Sequence, residues 1–202
     1  MEFVLSAVVS YLLGSISFSY LISKKVAGID IRSHGSGNAG ATNTMRVLGT
    51  GPAILVLLLD AIKGMAAVAI AWWISDYNTV IGALAGIFAI IGHNWPIFFQ
   101  FRGGKGIATT IGVALLISPL AFIVSVLLCV AVIAITRYVS LGSLVFVTAF
   151  PISLYFISHN VSLCLVVLII TIFGFVRHYS NIRNLLAGKE RKIGEKTPKD
   201  SQ

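Results

Sequence analysis

The polar run His34-Gly35-Ser36-Gly37-Asn38-Ala39-Gly40-Ala41-Thr42-Asn43-Thr44-Met45-Arg46 has the composition of an oxyanion site. Glycines let consecutive backbone N–H groups turn toward one point. Ser36, Asn38, Thr42 and Asn43 can add neutral hydrogen bonds, and Arg46 adds a fork that suits phosphate. A flexible loop between two helices has the same composition. A second run, Phe101-Arg102-Gly103-Gly104-Lys105-Gly106, directly precedes an apolar segment that begins Ile107-Ala108-Thr109-Thr110. Glycines ahead of a helix N-terminus expose unpaired N–H groups, the helix dipole adds positive potential, and Lys105 adds a full charge. This is a phosphate cradle in the physical sense, without the Walker spacing. A basic loop between helices is the plain alternative.

A third cluster is divided between Arg137-Tyr138-Val139-Ser140-Leu141-Gly142-Ser143 and Arg177-His178-Tyr179-Ser180-Asn181-Ile182-Arg183. His178 and Asn181 share a face if the helix continues, and His178 is a candidate acid, base or orienter or else a polar anchor. His93 is a second candidate; His34, in a loop, is expected to face solvent. Asp60 and Lys63 lie one turn apart within an apolar segment. Such residues mark a function or pin a helix against its neighbour. No H-E-x-x-H zinc spacing and no G-x-S-x-G elbow occurs, so no metal is implied. His34, His93, His159 and His178 lead five positions on to Ala39, Phe98, Cys164 and Arg183, so the His-x4-Asp pair of thioester-dependent glycerolipid acyltransferases is absent.

The elements that must position these residues are membrane helices. Hydrophobic residues make up 57% of the 202-residue chain, more than a soluble domain of this length can hide. One membrane-embedded domain over 1–202 is expected, with a basic tail from about 184. Cys129 and Cys164 lie in apolar runs and read as packing residues. Glu2 stands where a cleavable signal has a basic segment, which predicts an uncleaved first span. The apolar segments 3–23, 52–75, 79–93, 107–117, 120–136, 144–158 and 161–176 are the predicted spans. Ser118-Pro119 divides the fourth from the fifth, since proline breaks the helical ladder. The fold class is therefore an all-α polytopic membrane protein of about seven transmembrane helices, some of them short.

The net charge of +8 invites a nucleic-acid reading, but its placement follows topology. The turns at 1–2, 76–78, 118–119 and 159–160 hold no Lys or Arg, and fourteen of the fifteen Lys and Arg residues fall in the alternate segments. The positive-inside rule then places the N-terminus outside and the C-terminus in the cytoplasm. Both glycine-rich runs land on the cytoplasmic face, open to water on one side and lipid on the other. The short fourth span is the weak point, because a re-entrant segment lining a polar cavity would look the same.

Together the motifs resemble the bacterial integral-membrane acyl-phosphate:glycerol-3-phosphate acyltransferases. The run Gly35-Ser36-Gly37-Asn38-x-Gly40-Ala41-Thr42-Asn43-x-x-Arg46 is similar to that family's first motif. Gly92-His93-x-x-Pro96-x-Phe98 through Phe101-x-Gly103-Gly104-Lys105-Gly106-x-Ala108-Thr109 is similar to its second. Arg137-x-x-Ser140-x-x-Ser143, Arg177-His178-x-x-Asn181-Ile182 and Gly188-Lys189-Glu190 resemble its third region and tail. Ser17 stands where the family often has proline.

The resemblance implies transfer of a fatty acyl group from acyl phosphate to the sn-1 hydroxyl of sn-glycerol 3-phosphate, giving lysophosphatidic acid and inorganic phosphate. It implies no cofactor and no nucleic-acid partner. It also implies a bacterial cell-membrane enzyme, expected to act as a monomer with its site on the cytoplasmic face. Under it Ser36, Gly37, Asn38, Gly40, Thr42 and Asn43 recognise phosphate and hydroxyl groups. Arg46 and Lys105 neutralise phosphates beside Gly103 and Gly104, and Ser143, His178 and Asn181 orient the acceptor. The proton goes to His178 or to a substrate phosphate. Asp60 and Lys63 keep a rival reading open, a carrier or flippase for phosphorylated solutes or lipids.

Overall fold

The computed structural model describes residues 1–195, and the end of the basic tail, 196–202, lies outside the described residues. Among the described residues every regular element is helical: α1 Glu2–Gly14, α2 Phe18–Ala27, α3 Ala41–Leu48, α4 Thr50–Ile74, α5 Thr79–Asn94, α6 Ile107–Ile117, α7 Pro119–Thr136, α8 Val139–Ser158, α9 Val161–Arg177 and α10 Tyr179–Leu186, with short 3-10 turns at Ile31–Ser33 and Ile97–Phe99. Each predicted apolar segment is helical, the first of them in two pieces. Five stretches are long and apolar enough to cross a membrane: Glu2–Ala27, Thr50–Ile74, Thr79–Phe99, Pro119–Thr136 and Val139–Ser158. The last predicted segment reaches that length only when α9 is joined to α10 across a 60° bend. Leu127, Ile135, Phe156, Leu165 and Ile172 stand more than half exposed on the outside of the bundle, an arrangement suited to lipid and costly in water.

The chain-reversing residues act as helix caps. The Asn78 side chain accepts from the Val80 and Ile81 amides at 3.1 Å each. Ser118 accepts from the Ala121 amide at 3.4 Å, with Pro119 at the first position of α7. Asn160 accepts from the Leu163 amide at 3.0 Å. Each side chain satisfies amides that the first turn leaves unpaired, which is why these short polar turns end one helix and start the next.

α6 has 11 residues, a rise of only ~16 Å against ~30 Å of hydrocarbon. It packs against α4 and α5, with Thr109, Thr110, Gly112, Val113 and Ala114 buried. Small residues allow this approach. A Cβ on Gly112 would stand 2.7 Å from the Ala61 carbonyl carbon, and a Cβ on Gly64 of α4 would run into the Thr109 carbonyl. Close backbone contact of this kind holds helices together where lipid supplies no hydrophobic drive.

Three features differ from the sequence-based expectation. The first span is interrupted at residues 15–17, between α1 and α2. The break is stable because the Lys63 ammonium reaches from α4 and donates to the Ile16 carbonyl at 2.6 Å, giving the freed acceptor a partner. The break therefore persists with serine at position 17. The polar segment after it is not all loop, since α3 takes up its second half. Gly40 caps α3 in an extended conformation, and Thr44 buries its hydroxyl on the Gly40 carbonyl at 3.1 Å. Finally, α8 begins at Val139, so Ser140 and Ser143 sit on its first turns and not in a loop.

Gly112→Val is expected to wedge α4 from α6, at a cost of about 1–3 kcal/mol as in other overpacked cores. A lower melting temperature in detergent, with unchanged extractability, would show it; an unchanged melting temperature would contradict the packing.

Candidate active site

The first glycine-rich loop is built on one buried amide. The Asn43 side chain accepts from the Ser36 amide at 2.8 Å and donates to the carbonyls of His34 at 3.0 Å and Ile31 at 3.2 Å. Gly35 and Gly37 adopt φ of +63° and +71°, the left-handed turn the loop needs. Asn43 is 1% exposed, so it shapes the loop from inside, and the expected substrate contact from it is not what its side chain does. Ser36 and Gly37 are exposed, Asn38, Gly40 and Thr42 are partly so, and Arg46 is half-buried on α3. Arg32, which sequence reasoning passed over, fastens this loop to the second. Its guanidinium pairs with Asp30 at 2.8 Å, donates to the Phe99 carbonyl at 2.8 Å and covers the Tyr20 ring. That pairing holds the Asp30 carboxyl below its ordinary range. His34 is exposed, as expected.

The second loop is held by its backbone. The Gly104 amide donates to the His93 carbonyl at 3.1 Å, while the Gly104 carbonyl accepts from Arg177 Nη2 at 2.7 Å and Nε at 3.0 Å. The expected role of Gly104 as a free amide donor is therefore not the one it plays. Its missing side chain matters instead: a Cβ there would stand 2.5 Å from the Ala39 carbonyl and run into the His93 ring. A Cβ on Gly103 would stand 2.7 Å from the Pro96 ring and 2.8 Å from the Asn94 carbonyl. At Gly104 the two glycine-rich loops touch.

Lys105 follows directly and donates its ammonium to the Asn181 side-chain carbonyl. The Asn181 amide nitrogen donates to the Glu190 carboxylate at 2.7 Å, and Ser140 Oγ donates to the same oxygen at 2.7 Å. A chain of polar groups thus joins the second loop, α10, the tail and α8. The tail is tied back there by Arg137, whose Nη2 donates to the Ile193 carbonyl at 2.8 Å. Burial pushes the Lys105 ammonium down to about 8; Glu190 opposes this, and Arg46 and Arg177 add to it. Burial also lowers Arg46, with Arg191 as the next cause, and the guanidinium stays a cation. His178 lies at the break just past α9, 3% exposed, with Nδ1 against the Gly174 carbonyl at 2.8 Å. Burial pushes its ring down to about 4, with Lys105 the next cause. The Nδ1 proton is directed at Gly174, so the neutral ring keeps its lone pair on Nε2. Ser143 directs its hydroxyl proton to the Val139 carbonyl at 2.8 Å and is buried; Ser140, one turn earlier, is the serine that reaches the network.

The structure therefore assembles Lys105, Asn181, Arg177, Gly103 and Gly104 into one basin, with the first loop against it at Ala39. A carboxylate, Glu190, is already seated among its donors. Glu190, Ser140 and Arg177 were legible as motif residues but not as parts of one network. A carboxylate directly after Gly188-Lys189 in a basic tail was the available signal for Glu190. Such a basin can bind an oxyanion and neutralise charge as it develops.

A family model described as Glycerol-3-phosphate acyltransferase matches residues 4–188. The chain belongs to that family. It is 53% identical to a glycerol-3-phosphate acyltransferase of Halalkalibacterium halodurans, covering 93% of each chain. It is 52% identical to one of Shouchella clausii over 92% of this chain and 93% of that one. A crystal structure of PlsY, described as an integral membrane glycerol 3-phosphate acyltransferase in its glycerol 3-phosphate form, superposes with a TM-score of 0.89 at 35% identity over 96% of both chains. A second, in the lysophosphatidic acid form, gives 0.86 at 33% identity. Family membership and the apolar helices together make the chain an integral membrane acyltransferase.

Two outcomes follow from the site geometry. Lys105 is a cation below about 8 and neutral above it, so acyl transfer is expected to fall as pH rises through that value; a rate that holds to pH 10 would contradict the role. Asn43→Ala leaves the Ser36 amide without its partner and takes one of two donors from the Ile31 and His34 carbonyls, which keep the His34 and Gly37 amides, at a cost of about 1–3 kcal/mol. Thermal melts in detergent, read beside the KM for phosphate-bearing substrates, should show both falling stability and rising KM.

Proposed function

We propose that the protein transfers a fatty acyl group from acyl phosphate to the sn-1 hydroxyl of sn-glycerol 3-phosphate, giving lysophosphatidic acid and inorganic phosphate. The observation that carries this reading is the seat of Glu190, where a carboxylate already accepts from Asn181 and Ser140 while Asn181 in turn accepts from the Lys105 ammonium. An anion of similar radius, a phosphate oxygen, suits the same donors. The solved PlsY relatives support the reading, since they are described in a glycerol 3-phosphate form and a lysophosphatidic acid form.

Acyl phosphate is an activated mixed anhydride, so no covalent enzyme intermediate is required. The sn-1 oxygen attacks the acyl carbon, the bond from that carbon to the phosphate oxygen breaks, and phosphate leaves with the bonding pair. Lys105 and Arg46 neutralise the phosphates, and Lys105 steadies the developing charge. Ser36, Gly37, Asn38, Gly40 and Thr42 supply the solvent-facing wall for phosphate and hydroxyl groups, with Gly103 beside them. Ser143, His178 and Asn181 orient the acceptor. A ring pushed down to about 4 is a weak base, which favours a substrate phosphate oxygen as proton acceptor and leaves His178 to hold the hydroxyl. A lipid-facing apolar trough of about 390 Å³ lined by Leu141, Leu144, Val145, Thr148 and Phe175 starts one residue from Ser140 and offers room for an acyl chain.

The charge distribution supports a cytoplasmic site, with the N-terminus outside, in a bacterial cell membrane. The protein works as a monomer in this reading. Purified protein with labelled glycerol 3-phosphate and either acyl phosphate or acyl-CoA tests it. Lysophosphatidic acid is expected from acyl phosphate and lost by at least about 100-fold in Lys105→Ala. Near-normal turnover in that variant would sink the assignment, and product from acyl-CoA alone would overturn the donor.

A further inference from the structure

A cluster of three buried ionisable side chains, Asp60, Lys63 and His93, lies outside the basin just described. Asp60 and Lys63 pair at 2.8 Å with side chains 1% and 3% exposed. Lys63 also closes the Ile16 carbonyl at the break between α1 and α2. The His93 ring turns Nδ1 toward the same Asp60 oxygen at 3.5 Å, itself 5% exposed. The fold thus brings together a His and an Asp that stand thirty-odd positions apart in the chain. The pair has the composition of a general base but not the access. The far edge of the ring, Nε2, is covered by Gly104, where a Cβ would run into it. No substrate atom can take that place with Gly104 packed there.

What this edge touches is the loop that carries Lys105. The His93 carbonyl accepts the Gly104 amide, and the ring lies against the Gly104 Cα where the two glycine-rich loops meet at Ala39. Lys63 ties the same cluster to the first span, and Asp60 ties it to α4. We propose that Asp60 and His93 are positioning residues for acyl transfer: the carboxylate fixes the His93 ring, and the ring sets the Gly104 peptide and with it the reach of Lys105. At 3.5 Å the contact is an electrostatic approach and not a hydrogen bond, and the Asp60 charge favours the neutral tautomer whose N–H lies on Nδ1, facing the carboxylate. Lys63 balances the charge of Asp60, so the cluster is neutral as a pair in a region where a lone ion is costly. A small tilt of the ring moves a loop that packs without a side chain to spare, and displacements near 1 Å in a positioning element cost about 100-fold in rate.

This inference rests on the acyl-phosphate reading, and the experiment separates the two. Wild-type protein is assayed first with both donors, and the variants are then compared on the donor the wild type uses. Wild-type activity with acyl-CoA alone therefore overturns the donor and still tests the cluster. Three variants are compared: Asp60→Asn, His93→Asn, and the double change Asp60→Asn with Lys63→Gln. His93→Asn keeps an N–H toward Asp60 and removes the edge against Gly104. The double variant is uncharged and keeps a donor for the Ile16 carbonyl. Each is expected to lower kcat by about tenfold or more, while KM for glycerol 3-phosphate stays within about threefold and the melting temperature of the double variant stays near wild type. If the pair serves only to balance charge, the double variant returns to wild-type turnover, and the proposal fails. It also fails if His93→Asn turns over normally, or if lost turnover in all three is matched by lost folded protein on size exclusion.

Discussion

The Gly104 peptide is gripped from both sides, its amide by the His93 carbonyl and its carbonyl by the Arg177 guanidinium. The arrangement of the polar end of the bundle depends on that grip. Arg177 is the last residue of α9 and lies over the Trp95 ring at 5.3 Å, so it joins the end of the bundle to the second loop. Lys105 is the next residue along, and its ammonium links to α10 and the tail. The side that a Cβ would fill is occupied by Ala39 of the first loop. Any side chain at this position would push the two glycine-rich loops apart.

Irregular backbone near a membrane is tolerated where its polar groups find partners inside the protein. The chain meets this requirement with few side chains, each making several bonds. Asn43 satisfies three backbone groups of the first loop. Lys63 satisfies the carbonyl at the break in the first span while pairing with Asp60. Arg32 bridges the two loops through the Phe99 carbonyl. The scaffold that results leaves Ser36 and Gly37 exposed beside the Lys105 basin.

The polar segments of the chain split into two kinds. Short ones at Asn78, Ser118 and Asn160 do no more than cap the helix that follows. Long ones carry most of the basic residues, and the two glycine-rich loops fold against each other. Asp60 and Lys63, which left a carrier reading open, are sealed in the bundle behind the second loop.

Much of this was legible before any coordinates. Apolar runs must be helical in lipid because a helix satisfies its own backbone, so the positions of α4 to α9 followed from composition and from proline and capping residues. Both glycine-rich loops, Lys105, His178 and Asn181 were visible as residue types at suggestive spacing. The break at 15–17 was not visible, because it depends on an ammonium from another helix. Nor were the helical form of α3, the inward turn of Asn43, the blocked amide of Gly104 or the place of Glu190. Local sequence determines which segments leave water and which residues can bind an anion. Tertiary structure alone decided which of those residues face the basin, because hydrogen-bond partners tens of positions apart set each side chain's direction, and no local pattern records them.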